Sequence, residues 1–214
     1  MKLNVGKITI KQMLIYGVHR GYSKRYLNSQ IKPYLLGFKN QFTIFNLKPI
    51  KYQLKSIIYL ITEIIAKRQV ILIVNHYKEA LSLKNSLTFK RCFLLEGFWL
   101  GGFLTNFKII KLYTNYREKN NKYLEFLRIL PSFIFFINTT TDNWGLKESI
   151  NLNIPMAIAT GANFNLLNRT VYPVVASNET TEAQSFYAHL IKGAVIKGFQ
   201  KEKLKILALR KLKK

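Results

Sequence analysis

Cysteine, acidic residues, glycine and proline are all scarce in this 214-residue chain. The single cysteine, Cys92, excludes an internal disulfide and any metal site built from several cysteines. No uninterrupted apolar run approaches the roughly twenty residues that a membrane-spanning helix needs, so we predict no membrane insertion. The opening residues, MKLNVGKITIKQML, show neither a secretory signal pattern nor an Arg- and Ser-rich transit peptide.

Sequence patterns typical of cofactor chemistry are missing as well. The chain contains neither the G-x-G-x-x-G pattern nor the phosphate-binding pattern G-x-x-x-x-G-K-S/T. His19, His76 and His189 lie far apart and form no H-x-x-x-H pair, and His189 is interpreted as a structural residue of the last helix. These absences weaken the interpretation of the chain as a nucleotide-binding enzyme, and we predict no metal site and no cofactor.

The shortage of acidic residues leaves a large positive charge. Lys and Arg number 34 against 10 Asp and Glu, which gives a formal net charge of +24. Charge of this size opposes compaction unless a polyanion neutralises it. Nucleic acid fits this requirement, and an anionic membrane surface is the alternative. The hydrophobic content of 49% is normal for a folded core.

Short apolar runs alternate with helical patterns over the second two thirds of the chain. Phe133 to Ile137 predicts a buried strand, Trp144 to Leu152 a helix that stops at Asn153, and the run from Ile154 and Pro155 to Thr160 a second strand. This βαβ unit implies a parallel sheet. Similar runs predict strands over residues 70–74, 92–95 and 171–175 and a helix over 75–87. A last helix, capped by Ser177 and Asn178, is predicted by an apolar face that runs from Ala183 to Val195. The economical architecture is a three-layer α/β/α doubly wound sheet.

The N-terminal third predicts a different arrangement. Residues 8–16 form a short helix that begins at Thr9 and ends at Gly17, and residues 34–47 form a hairpin that turns at Lys39 and Asn40. Apolar residues from Leu54 to Ile65 recur at helical spacing and predict a long helix that ends near Lys67 and Arg68.

Two segments carry candidate binding residues. Residues 17–34 mix cations with tyrosines and show no periodicity, which fits either a solvated connector or an RNA contact with stacking aromatics. The turn around Gly101 and Gly102 carries Trp99 and fits either an aromatic cap over the sheet edge or a nucleic-acid contact. Asp142 and Glu148 are interpreted as a helix cap and as a surface or ion-pair residue, not as a catalytic pair.

Several motifs resemble one family. Ten positions over residues 131–155 match the second signature of the ribosomal protein S2 family: Pro131, Ile134, Phe135, Asn138, Asp142, Leu146, Glu148, Asn153, Ile154 and Pro155. The run WLGGFLTN, Trp99 to Asn106, is similar to another motif of that family, and residues 13–47 are similar to its opening block. Arg20 and Tyr22 depart from that block, in which an apolar or aromatic residue and a histidine are common.

The resemblance implies a flavodoxin-like fold and a non-catalytic structural role on the small ribosomal subunit. It also implies binding to small-subunit rRNA near the junction of head and body, beside neighbouring small-subunit proteins, with no homo-oligomer expected. Bacterial members carry a long helical hairpin where this chain has only residues 108–129, so the contacts of that hairpin are not transferred. The resemblance favours an rRNA contact for both ambiguous segments, through Arg20, Tyr22, Lys24, Arg25, Tyr26, Asn28, Lys32, Lys39, Trp99, Asn106 and Lys108.

We predict one domain over residues 1–200 and a basic tail over 201–214 that is ordered only on a partner. The abundance of Ile, Lys, Asn, Tyr and Phe is typical of AT-rich organelle genomes. We therefore expect an organelle-encoded protein of the mitochondrial matrix, with a plastid as the second possibility. The alternative functions are a doubly wound nucleotide-binding protein or enzyme that uses the loops after residues 74 and 137, and a basic peripheral membrane protein.

Overall fold

A five-stranded parallel sheet forms the centre of the protein. A computed structural model describes residues 8–75, 91–97, 99–108, 129–138, 143–164 and 172–212, and the elements below lie in these ranges. The sheet has the order β5-β4-β6-β7-β8. Its strands are β4 (Ile71–Asn75), β5 (Cys92–Glu96), β6 (Phe133–Asn138), β7 (Met156–Thr160) and β8 (Tyr172–Val175).

These strands form because their side chains suit a sheet that is covered on both faces. Every residue of β4, β6 and β7 is buried, as expected for continuous runs of β-branched, aromatic and small apolar residues. In chain order the five strands lie as 2-1-3-4-5, the arrangement of flavodoxin-like folds. The prediction of an α/β fold with a parallel sheet is confirmed.

Four α-helices lie in the described ranges: α1 (Ile10–Ile15), α2 (Leu47–Ala66), α3 (Trp144–Asn151) and α4 (Thr181–Leu212). Helices α2 and α4 pack closely at Gly198. A Cβ atom added to Gly198 would lie only 2.7 Å from the Cβ atom of Ile65, so the two helices approach to a distance that only glycine allows. Helix α1 reaches α4 through Tyr16, whose ring centroid lies 5.4 Å from that of Phe186.

A three-stranded antiparallel sheet packs alongside. Its order is β1-β3-β2, with β1 (Arg20–Ser23), β2 (Leu35–Lys39) and β3 (Phe42–Phe45). The predicted hairpin is confirmed, although its turn lies one residue later, with Asn40 and Gln41 at φ 48° and 66°.

The aperiodic stretch 17–34 is more regular than predicted. Besides β1 it contains two 3-10 helices, over Lys24–Tyr26 and Ser29–Tyr34. The sequence shows no sign of this strand, because β1 pairs with β3, some twenty residues away, and nothing in the periodicity of residues 17–34 reveals that partner.

Helix ends agree with the sequence at three places. Thr9 caps α1 in a capping box with Gln12, and Gly17 follows at φ 66°. Asn153 ends the α3 segment at φ 52°, as predicted. The cap of α3, however, is Asn143 and not the predicted Asp142, because the Asn143 Oδ1 accepts a hydrogen bond from the Gly145 N–H at 2.7 Å.

The predicted cap of α4 is wrong. Thr180 caps this helix by accepting a hydrogen bond from the Ala183 N–H at 3.3 Å. Asn178 instead donates its side-chain amide to the carbonyl of Ala159 at 3.3 Å, and Ser177 is buried against the same region. Both residues therefore belong to the sheet edge.

Helix α4 continues through most of the predicted basic tail. The segment is helical as far as Leu212, and ion pairs hold Lys201 and Glu202 against the body. Order of this tail only on a partner stays a prediction. The other predictions on residues 76–90, 109–128 and 139–142, including His76 and Asp142, lie outside the described residues.

Candidate nucleic-acid interface

The basic segment after β1 is fixed to the carboxyl edge of the parallel sheet. Asn28 donates its backbone N–H to the carbonyl of Ala162 at 2.9 Å and its side-chain amide to the carbonyl of Phe164 at 3.1 Å. One strand further on, the Ser177 N–H donates to the carbonyl of Val18 at 3.0 Å. Asn28, predicted to bind rRNA, is thus half-buried and anchors the segment.

Tyr22 has a similar structural position. Its half-buried ring lies against Gly161, where an added Cβ atom would come within 2.9 Å of the ring Cδ2 and 3.0 Å of the Asn178 Oδ1. At the neighbouring Gly21, an added Cβ atom would likewise lie 2.9 Å from the Cε2 atom of the Phe45 ring. The ring of Tyr22 therefore joins β1 to the sheet edge.

The predicted cations of this region are all exposed. We call Arg20, Lys24, Arg25, Lys32 and Lys39 the basic surface. The Lys24 ammonium lies over the Phe38 ring at 5.1 Å from its centroid, and the Lys24 N–H donates to the carbonyl of Gln41 at 2.7 Å. These contacts bring Lys24 to the end of the β2–β3 hairpin, beside Lys39.

Exposed aromatic rings accompany these cations. Tyr26 is 67% exposed, and Phe42 and Phe38, which the sequence did not single out, are 56% and 48% exposed. Exposed rings among cations provide stacking platforms beside phosphate contacts, the combination that binds unpaired RNA. Phe38 and Phe42 lie in the two strands of the hairpin, close to its turn, and this placement could have marked them as candidates. The placement does not show whether each ring packs against the body or faces solvent.

The second predicted segment differs from the first. Trp99 is only 9% exposed, packs edge-on against Phe103 at a centroid distance of 5.2 Å, and lies against the core. Asn106 and Lys108, at the end of the same turn, are exposed. Trp99 therefore occupies the position expected of an aromatic cap over the sheet edge, the first of the two interpretations that the sequence left open.

Glu148 explains why this turn is ordered. Its carboxylate accepts hydrogen bonds from Trp99 Nε1 at 3.0 Å and from the backbone N–H groups of Gly102, Leu104 and Thr105 at 2.7, 2.7 and 3.2 Å. The side chain is buried, so the predicted surface or ion-pair role is wrong. A buried carboxylate is stable here because charge-assisted hydrogen bonds replace its hydration.

Polar side chains end the strands at the carboxyl edge of the sheet, where doubly wound proteins bind ligands, and they include one carboxylate, Glu96, the register partner of Asn75. Asn75 and Asn138 are register partners on adjacent strands, and Thr160 ends the next strand. Burial raises the pKa of the Cys92 thiol to about 12, so this thiol is not a nucleophile at neutral pH. No three His, Cys, Asp or Glu side chains among the described residues converge on a metal position.

We expect Gly161→Ala to destabilise the protein by about 1–3 kcal/mol, because the added methyl group overlaps the Tyr22 ring. Urea unfolding of the purified protein measures this change. Gly37→Ala is the matched control, since an added Cβ atom there meets nothing within 4 Å, and its stability should change by only about 0.5 kcal/mol. Equal urea midpoints for Gly161→Ala and Gly37→Ala would show that the close packing of the Tyr22 ring on Gly161 does not contribute to stability.

The fold and the exposed side chains define a strongly basic α/β domain without a catalytic constellation in its described parts. The family model "Ribosomal protein S2" matches residues 13–125, just over half of the chain, and the chain belongs to this family. Membership in a ribosomal protein family confirms the prediction of a structural protein and not an enzyme.

Individual relatives align over nearly the whole chain. A protein of Rhodospirillum centenum described as "Small ribosomal subunit protein uS2" is 27% identical over 91% of this chain and 86% of its own length. Proteins with the same description from Gluconobacter oxydans and Ehrlichia ruminantium are 28% and 23% identical over 91% and 94% of this chain and 84% and 80% of theirs. None of the helices described here has the length and apolarity needed to span a bilayer.

Proposed function

We propose that this chain is a structural constituent of the small ribosomal subunit of an organelle and binds small-subunit rRNA near the junction of head and body. The observation that carries the proposal is the basic surface, whose five cations are all exposed. Four of them lie on a segment that main-chain hydrogen bonds pin to the parallel sheet, and the fifth, Lys39, ends β2. Family membership supplies the ribosomal context.

The mechanism is charge neutralisation on a rigid support. Each Lys or Arg that reaches an rRNA phosphate releases condensed counterions, and this release provides sequence-independent affinity. Phosphate contacts fix position and orientation, while exposed rings such as Tyr26 stack on unpaired bases. The hydrogen bonds from Asn28 to Ala162 and Phe164 hold the surface in place before RNA arrives, so less conformational entropy is lost on binding.

The organelle assignment is supported by composition. The excess of Ile, Lys, Asn, Tyr and Phe over Gly, Pro and Ala fits AT-rich coding, and we place the protein in the mitochondrial matrix with a plastid as the second possibility. Its partners are small-subunit rRNA and neighbouring small-subunit proteins, and we expect one copy per particle.

Sucrose-gradient fractionation of native organelle extract tests the proposal. The chain should sediment with the small subunit at low salt and move to lighter fractions after ribonuclease treatment. Cytosolic extract from the same cells is the control and should lack the chain. A chain that stays in light fractions from the start, or sediments with cytosolic subunits, would contradict the proposal.

A further inference from the structure

The C-terminal end of α4 leaves the body of the protein in a fixed direction. Lys201 pairs with Glu63 of α2, and Glu202 pairs with Arg68 and Arg91 at 2.9 and 2.5 Å. The Arg91 guanidinium also lies over the Phe199 ring at 4.9 Å from its centroid. The hydrogen bond from Arg91 holds the pKa of the Glu202 carboxyl below its usual value, so the pair stays charged at neutral pH.

Beyond this clamp the helix carries apolar side chains that the described body does not cover. Leu204, Leu207 and Leu209 are 67%, 53% and 60% exposed. The same ten residues, 203–212, contain four cations and no acidic residue: Lys203, Lys205, Arg210 and Lys211. We call residues 203–212 the leucine–lysine end.

The exposed leucines favour association with a partner that covers them. Ten helical residues extend about 15 Å, and a helix of this length without tertiary packing is only marginally stable in water. Removing apolar side-chain surface from water is favourable, so covering the three leucines would drive association with a partner.

The chemistry of the segment selects the kind of partner. RNA phosphates would pair with its cations but would leave the leucines in water. A bilayer surface covers one side of a helix, whereas Leu209 lies about 140° around the helix from Leu204 and about 160° from Leu207. A protein groove can enclose both sides, and the excess of four positive charges fits acidic residues around its rim.

We propose that the leucine–lysine end docks into an apolar groove, rimmed by Asp and Glu, on a neighbouring protein of the assembled particle. The inference rests on the proposed function in one respect, namely that the partner is a protein of the small ribosomal subunit. The clamp at Glu63, Arg68 and Arg91 presents the segment in a set direction, which reduces the cost of ordering it on binding.

Site-specific photocrosslinking in assembled small subunits tests this proposal. The full chain with a benzophenone amino acid in place of Leu207 should give a ribonuclease-resistant protein adduct, whose crosslinked peptide contains apolar residues together with Asp or Glu. Leu204→Gln with Leu209→Gln should reduce the adduct at least tenfold and leave the helix intact, because glutamine is a good helix former. The same probe at Tyr59, 67% exposed on α2, is the control and should not give this adduct.

Other outcomes overturn the inference. An adduct to rRNA, to lipid or to a second copy of this chain would assign the segment to a different partner, and the absence of any adduct would leave the leucines uncovered. Gradient sedimentation of each labelled chain separates the two proposals. A chain that enters small subunits without the expected adduct contradicts the docking proposal alone, whereas a chain that never enters them contradicts the proposed function.

Discussion

Replacing Glu148 with alanine is expected to destabilise the protein by about 3–5 kcal/mol, the cost of breaking a buried charged network. The carboxylate is 4% exposed and accepts four hydrogen bonds from the turn that contains Trp99. Its removal leaves the N–H groups of Gly102, Leu104 and Thr105 without their acceptor, and each such loss costs about 1–3 kcal/mol if the group stays dry. The free energy of unfolding in urea measures the effect.

Two further variants sharpen this test. Glu148→Gln keeps one acceptor oxygen but directs an amide donor at backbone donors, so its stability should fall between the wild type and Glu148→Ala. Glu179→Ala removes an exposed carboxylate before α4 and should change stability by only about 0.5 kcal/mol. If Glu148→Ala were as stable as Glu179→Ala, the carboxylate would not be what orders the turn.

Removing four cations of the basic surface should weaken attachment to the small subunit while the fold is retained. In a variant with alanine at Arg20, Lys24, Arg25 and Lys32, all exposed side chains, unfolding stability should be close to wild type. Rebinding to salt-washed subunits should weaken, and the slope of log K against log salt should become shallower by about 3, because each lost phosphate contact removes about 0.7–0.9.

The matched control removes the same charge elsewhere. Alanine at four cations on or just after α2 also lowers the formal net charge from +24 to +20: Lys48, Lys51, Lys55 and Lys67. This control should keep most of its affinity and its salt dependence. Equal losses in both variants would show that net charge, and not the basic surface, determines binding.

Sequence reasoning succeeded where the signal lies within one segment. The buried runs of β4, β6 and β7 and the helical spacing in α2 are local patterns, and the elements formed where those patterns predicted them. It failed where the partner is distant in sequence. The four donors to Glu148 lie 43 to 49 residues before it, so a carboxylate on a short helix gave no sign of its burial.

Aromatic residues among cations show the same limit. Tyr22 and Tyr26 look equivalent in the sequence, yet the ring of Tyr22 packs against Gly161 and that of Tyr26 is 67% exposed. Which ring faces outward depends on the pairing of β1 with β3 and on the docking of both against the sheet edge. No periodicity in residues 17–34 contains this information.

The hydrogen bonds that pin the basic segment also constrain the order of events during synthesis. Asn28 binds the carbonyl of Phe164, 136 residues later, and Val18 accepts from Ser177. Because synthesis proceeds from the N-terminus, the first strands emerge long before their docking site exists. We expect limited proteolysis of arrested nascent chains to cut near Arg25 until β8 has left the exit tunnel, so the basic segment after β1 is among the last to reach its final place.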